Sequence, residues 1–267
     1  MEDKRVTLLC DAKIFTVDGL IDENECMELI SRSEARGFNI SSPSGGGHGR
    51  TGREDARTSQ FCVLNDEEYA KKLWRDVEGY LPPDLTHLSD TGYITSQEVA
   101  ETWRPISVNP HLRIYKYEVG DVFPEHIDYK FRRIVWRGGE KYEQMTFMTY
   151  LCYLNDDFQG GHTGFWTQHD KIGIKEHCRF LRGSENKPHQ VVVIPKTGMV
   201  VINDQNLLHE ALPPTKGVKY VLRTDIVHER HIAINEKIRK YMTDNDVCDR
   251  LGDWERLFET SCKNYAD

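Results

Sequence analysis

His126-Ile127-Asp128 sets an imidazole and a carboxylate two positions apart. On an extended segment residues i and i+2 share a face, with Cα atoms roughly 6.6 Å apart, so both side chains can converge on one ion. A redox-active ferrous site uses two histidines and one carboxylate on one face and leaves other positions open to a cosubstrate and oxygen. The motif by itself is weak: with 11 His in the chain, roughly one H-x-D arises by chance. His209 supplies a second imidazole, after the apolar run 199–202 and the polar turn Asn203-Asp204-Gln205-Asn206. Lys219 follows ten positions later and opens the strand-like segment Lys219-Tyr220-Val221-Leu222-Arg223. A dicarboxylic cosubstrate needs a fixed cation for the carboxylate that stays off the metal. Lys219 and Arg223 share a strand face but lie roughly 13 Å apart along it, so only one of them can be that cation.

Other residues offer less specific chemistry. Arg132, Arg133 and Arg137 with Trp136 can receive an acidic or planar substrate, or form a solvated basic loop. His162, between Gly161 and Thr163, can face substrate or be an ordinary exposed turn residue, and Trp166 can be core or pocket wall. His169, His177, Cys178 and His189 match no familiar zinc spacing. His228-Glu229-Arg230-His231 reads as a polar turn from strand to helix. Gly45-Gly46-Gly47 is no phosphate loop, because no G-K-[ST] follows it.

These residues need a frame to hold them. Asp18 or Asp22 can cap a helix over residues 23–35, with Cys26, Met27, Leu29 and Ile30 inward and Gly37 as its stop. A second helix is expected over residues 66–80, with Leu73, Trp74 and Val77 inward, and a strand over residues 61–64. Residues 41–55 are Gly- and Ser-rich and read as a surface loop. From Leu112 the texture turns to β: residues 112–117, 146–154, 191–194, 199–202 and 219–227 are rich in β-branched and aromatic types. Pro195-Lys196-Thr197-Gly198 reads as a hairpin turn. Helices return over residues 232–242 and 253–258. The expected architecture is a single domain, mainly β with flanking helices: helix-rich support over about 1–110, an antiparallel β core of barrel or jelly-roll type over about 111–230, and a helical tail over 231–267.

Composition narrows the class. Lys+Arg 35 against Asp+Glu 43 gives a net charge of -8, which argues against a general nucleic-acid binder. Seven dispersed cysteines without a C-x-x-C pair read as reduced thiols of the cytoplasm. Residues 1–11 carry charges in place of an apolar signal core, and no apolar run approaches the ~20 residues that span a bilayer.

In order along the chain come DGLIDENECMELI, RTSQFCVL, LRIYKYEVGDVFPEHIDY, TFMTYLCYLNDDFQGGHTGFW, VIPKTGMVVIND and HEALPPTKGVKY. This succession resembles the prolyl-4-hydroxylase-like branch of the Fe(II)/2-oxoglutarate dioxygenases, whose core is a double-stranded β-helix, or jelly roll. The resemblance implies that His126, Asp128 and His209 hold Fe(II). It makes Lys219 the partner of the distal carboxylate of 2-oxoglutarate, with Thr146 bonded to the same group and Tyr117 and Arg223 on the cosubstrate side. The reaction implied is decarboxylation of 2-oxoglutarate to succinate, with O2 consumed and a C–H bond of a prime substrate hydroxylated; ascorbate is an accessory candidate. Two features depart from the family pattern. Phe123 stands where its prolyl hydroxylases commonly have Tyr, and residues 130–144 and 167–190 exceed the usual connections. Both favour an amino acid or other small metabolite as substrate. A prolyl 4-hydroxylase acting on a peptide or protein is the alternative, and a non-catalytic jelly-roll binding protein the alternative of another class.

Overall fold

Side chains of residues 111–117 alternate between two interiors. Leu112 and Ile114 join one buried cluster, Tyr115 and Tyr117 another, as the two-residue period of a strand requires. The same division runs through the computed structural model, which describes residues 4–40, 58–88, 94, 96–167 and 188–232.

The larger sheet contains β1 (Val6–Cys10), β2 (Ile14–Val17), β3 (Asn39–Ile40), β4 (Gln60–Asn65), β5 (Arg104–Val108), β6 (His111–Tyr117), β8 (Arg132–Arg137), β9 (Glu140–Tyr153), β13 (Val200–Asp204) and β16 (Lys219–Ile232). Its path is β1-β2-β13-β9-β16-β6-β4-β3, with β5 against β16 and β8 against β9. A four-stranded sheet, in the order β12-β11-β14-β7, joins β7 (Phe123–His126), β11 (Thr163–Trp166), β12 (Val191–Val193) and β14 (Leu208–Ala211). A small ladder pairs β10 (Gln159–Gly160) with β15 (Pro214–Lys216). The ladders are antiparallel, and two sheets facing one another over a shared interior make the expected jelly-roll core.

Helices cover the far face of the larger sheet. α1 (Glu23–Arg36) starts where Asp22 accepts a bond from the Glu25 N–H and stops at Gly37, whose φ is 87°. Its Cys26 and Leu29 turn to the core as expected, but Met27, expected inward, faces solvent. α2 (Glu67–Val77) is capped by Asp66 and buries Ala70, Leu73 and Val77; a 3-10 turn carries the chain on to Tyr80. A short α3 (Gln97–Ala100) precedes Trp103, whose ring meets Phe147 edge-on at 4.9 Å. These helices close one hydrophobic layer with Leu112, Ile114 and Leu222, while Tyr115, Tyr117, Tyr153, Phe165 and Val221 fill the layer between the sheets.

Several expectations need correction. Residues 130–144 are a hairpin rather than a loop: β8 turns into β9 through Gly138-Gly139, both at positive φ (57° and 78°), and pairs with it from Arg137–Glu140 to Arg132–Met145. Two glycines at that turn supply the left-handed backbone that a tight hairpin requires. Pro195 to Gly198 is a turn, with Met199 N–H donating to Lys196 O, but it links β12 to β13, which belong to different sheets. The stretch before residue 110 carries five strands besides its helices. Ile232 ends a strand, and the rest of the expected tail helices, like the whole of loop 41–55 and His169, His177 and Cys178, lies outside the described residues. No helix among the described residues is long and apolar enough to cross a membrane.

Candidate metal centre

β7 and β14 run antiparallel with His126 directly opposite His209, so both imidazoles rise from one face of the smaller sheet. Asp128 follows two positions beyond His126, where its N–H donates to Gln205 O at 3.0 Å and fixes the backbone after the strand. One ligand atom from each of the three residues lies within 4.8 Å of the others. His126 Nε2 is 3.9 Å from Asp128 Oδ1, and His209 Nε2 is 3.7 Å from Oδ2. Each imidazole is held through its other nitrogen: His126 Nδ1 lies 2.7 Å from Pro124 O, and His209 Nδ1 lies 2.9 Å from Leu207 O. A carbonyl only accepts, so Nδ1 carries the proton and Nε2 is the nitrogen that faces the carboxylate. Phe123 stacks on His126 at 3.8 Å and Phe165 lies 5.5 Å from His209, which restricts both rings. Two oriented imidazoles and a carboxylate on one face fit the donor set of a ferrous ion with open positions.

Asp128 is itself held. Thr149 donates to its Oδ2, and Arg223 Nη2 sits 2.9 Å from Oδ1. Burial pushes this carboxyl up, but Arg223 and the two imidazoles outweigh burial and keep it below the usual carboxylate range. Arg223 also pairs with Asp225 at 3.0 Å, and Gln205 and Asn109 bond Asp225 in turn. Burial raises the Asp225 carboxyl against the pull of Arg223.

Lys219 stands apart from this group. It is 1% exposed, its Nζ donates to Gly161 O at 2.6 Å, and it lies over the rings of Tyr117 (5.1 Å) and Tyr153 (5.4 Å). Among the described residues no carboxylate pairs with it, and burial lowers its pKa to about 7. Register explains the company: Tyr117 lies opposite Lys219 on β6, and Tyr153 lies opposite Val221 on β9.

The structure thus brings His126, Asp128, His209 and Arg223 together, and Lys219 with Tyr117. It does not bring Thr146 to Lys219. Thr146 pairs with Val227, seven residues back along β9 from Tyr153, which is roughly 23 Å. Its hydroxyl accepts the Phe131 N–H instead. Arg223 is committed to two protein carboxylates rather than to the surroundings of Lys219. Arg132 pairs with Glu143 and Arg133 with Gln144 along the β8–β9 hairpin, with Trp136 opposite Lys141. Trp166 is buried beside His189 (4.3 Å), on the strand face opposite that of Phe165, while His162 is half-buried ahead of β11. Thr149, Tyr153, Asp225 and Gln205 were missed. A signal for the first two existed, because T-x-x-x-Y-L occurs twice: once from Thr146 and once from Thr149 to Tyr153-Leu154.

Residues 112–224 match the 2OG-Fe(II) oxygenase superfamily, a span that holds all three candidate ligands and Lys219. This stretch of the chain is similar to the Fe(II)/2-oxoglutarate-dependent oxygenases, a family that uses Fe(II), 2-oxoglutarate and O2. No curated protein matches the sequence. Its fold is similar to the 2-oxoglutarate complex of a viral collagen prolyl hydroxylase from Paramecium Bursaria Chlorella virus-1 (14% identity, 81% of this chain and 96% of that one, TM-score 0.43). It is likewise similar to a Pseudomonas putida prolyl-4-hydroxylase (14%, 80% and 92%, 0.46). A third similar structure is HygX from Streptomyces hygroscopicus with nickel and 2-oxoglutarate bound (12%, 82% and 82%, 0.42).

Proposed function

We propose that His126, Asp128 and His209 hold Fe(II), that Lys219 with Tyr117 binds the distal carboxylate of 2-oxoglutarate, and that the enzyme hydroxylates a C–H bond of an amino acid or similar small metabolite. The observation that carries this is the convergence of two oriented Nε2 atoms and one carboxylate within 4.8 Å, set in the same interior as a buried ammonium that no described carboxylate pairs with. When bound, the iron and keto acid supply the oxidation: 2-oxoglutarate loses CO2 to become succinate, O2 is consumed, and substrate C–H becomes C–OH. The chain's share is to orient the ligands, keep Asp128 ionised and surround the site with Phe123, Phe165, Tyr115 and Tyr153 against bulk water. Phe123 supports the small-molecule reading. Its ring is engaged in stacking on His126 and has no hydroxyl with which to bind substrate. Ascorbate fits as an accessory reductant, and the unbridged thiols of Cys26, Cys62 and Cys152 suit a cytoplasmic setting.

Anaerobic addition of Fe(II) and 2-oxoglutarate should produce the weak visible metal-to-ligand charge-transfer band of a bidentate keto acid. His126→Ala and Asp128→Ala should each abolish it together with succinate formation, and Lys219→Ala should raise the 2-oxoglutarate needed to develop it. A missing band, with metal and keto acid both shown to be bound, overturns the assignment. Hydroxylation of prolyl peptides in preference to free amino acids replaces the small-molecule reading with the peptide one.

A further inference from the structure

Arg113 on β6 lies directly opposite Arg223 on β16. Both therefore point from the same sheet face, with side chains about 5 Å apart at Cβ, and like charges so placed repel. That face is the one lining the site. Tyr115 and Tyr117 share it on β6, and Val221 and Lys219 on β16, while Leu112 and Ile114 turn the other way into the helix-covered layer. Arg223 is balanced by Asp128 and Asp225. The side chain of Arg113, a half-buried residue, has no hydrogen bond or ion pair with any described residue. The carboxylate whose field it feels is Asp225, and the oxygens of Asp225 are engaged by Arg223, Gln205 and Asn109.

The surroundings sharpen the contrast. Arg132, Arg133 and Arg137, the arginines that looked available in the sequence, are tied to Glu143, Gln144 and Glu229. His111, next on the inner face of β6, makes a bond to Asn65 and is kept from protonating by burial and by both Arg113 and Arg223. The neighbour of Arg113 on the same face, Tyr115, has apolar company, with Phe61 opposite on β4 and Phe123 against its ring, and Val63 lies opposite Arg113 itself. A guanidinium with no hydrogen-bonded partner among the described residues, one cross-strand step from the residue that grips Asp128, presents a planar fork of donors suited to a carboxylate.

We propose that Arg113 receives the carboxylate of the prime substrate, which makes that substrate a small carboxylic acid such as a free amino acid. The proposal rests on the oxygenase assignment above and names the substrate class for the same site. Lys219 takes the cosubstrate's carboxylate on one side of the interior, and Arg113 takes the substrate's on the other. The ends of the two acids are thereby kept from exchanging places.

The test uses the anaerobic Fe(II)–2-oxoglutarate complex of the full chain and follows perturbation of its charge-transfer band. The probes are L-proline, L-leucine, L-glutamate and 3-phenylpropionate, each with its carboxamide, and an acidic peptide amidated at its C-terminus. At least one free acid should shift the band at millimolar concentration while its amide does not. Arg113→Gln should weaken that acid about 10- to 100-fold, the size of one lost charge-assisted partner, with the loss for 2-oxoglutarate under about threefold and Arg113→Lys recovering part of the affinity. Acid and amide acting alike, no free acid acting, a response to the acidic peptide alone, or an equal loss of 2-oxoglutarate in Arg113→Gln would each overturn the proposal. In all four cases the band itself still reports the oxygenase site. A band absent from the wild-type chain points instead to failure of the metal and cosubstrate assignment.

Discussion

Lys219 carries its ammonium against a backbone carbonyl and two tyrosine rings, and burial alone brings its pKa to about 7. In the unfolded chain it titrates near 10.4. Between about 7 and 10.4 the unfolded chain holds a proton that the folded one lacks, so this group makes the ligand-free protein more stable as pH rises through that window. A bound carboxylate favours the protonated form again. At pH ~8.5, binding of 2-oxoglutarate should therefore take up about one proton, and affinity should fall as pH rises above about 7. Calorimetry in buffers of different ionisation enthalpy reads both, and Lys219→Ala should remove the proton uptake; a buffer-independent enthalpy in the wild-type chain rejects the pairing. The two threonines of β9 separate at the same scale. Thr149→Val deletes a donor to Asp128 and should weaken metal binding about tenfold. Thr146→Val should leave keto-acid affinity alone and cost about 1 kcal/mol of stability through the Phe131 N–H it abandons. Metal titration and urea denaturation distinguish them. Spacing made H-x-D readable only as a weak pair and left Lys219 and Arg223 both open as the cation; the ordered motifs that resemble a known family singled out His126, Asp128 and Lys219. Thr149 was not, because two overlapping copies of one pattern differ only in how far β9 has advanced along β16.

Among the elements, the turn ahead of β11 bears most directly on the cosubstrate. Gly161 has φ +67°, its carbonyl accepts the Lys219 ammonium, and a Cβ there would come within 2.7 Å of the Phe158 ring and 3.2 Å of Lys219 Cδ. Gly161→Ala should cost about 1–3 kcal/mol of backbone strain and raise the 2-oxoglutarate requirement, measured by thermal unfolding and by succinate release. An alanine enzyme with normal keto-acid dependence would show that the carbonyl does not position the lysine. Helix α1 could be read from its Asp cap and both helices from their apolar spacing, since these signals are local. The β8–β9 hairpin escaped notice because three arginines in RRIVWR suggest solvent. In place, their charges are answered across the strands: Arg132 and Arg230 share Glu143, and Arg137 reaches Glu229. The Gly138-Gly139 pair was the turn signal within it.

For the whole molecule, a site that closes between two sheets couples ligand binding to folding. At a hundredfold excess over the dissociation constant, a ligand that binds only the folded state adds about 2.7 kcal/mol. For a chain of this size that raises Tm by roughly 5–10 °C. Mn(II) with 2-oxoglutarate should raise Tm accordingly, and Lys219→Ala should keep the metal's share and lose most of the keto acid's. A β core of barrel or jelly-roll type was readable from the texture after residue 112, but sheet order was not: β13 reaches back to β2 across nearly the whole described chain, and no local signal reports such a partner. The long central strand β16 has a further consequence for folding fidelity. Lys219, Arg223 and Asp225 occupy alternate positions on it, between β9 and β6. A slip of one residue would drive all three charges into the layer that Leu222 and Ile226 now fill beneath the helices. The groups that equip the site therefore also proofread the register of the strand that carries them, and a misaligned chain loses stability and chemistry in the same step.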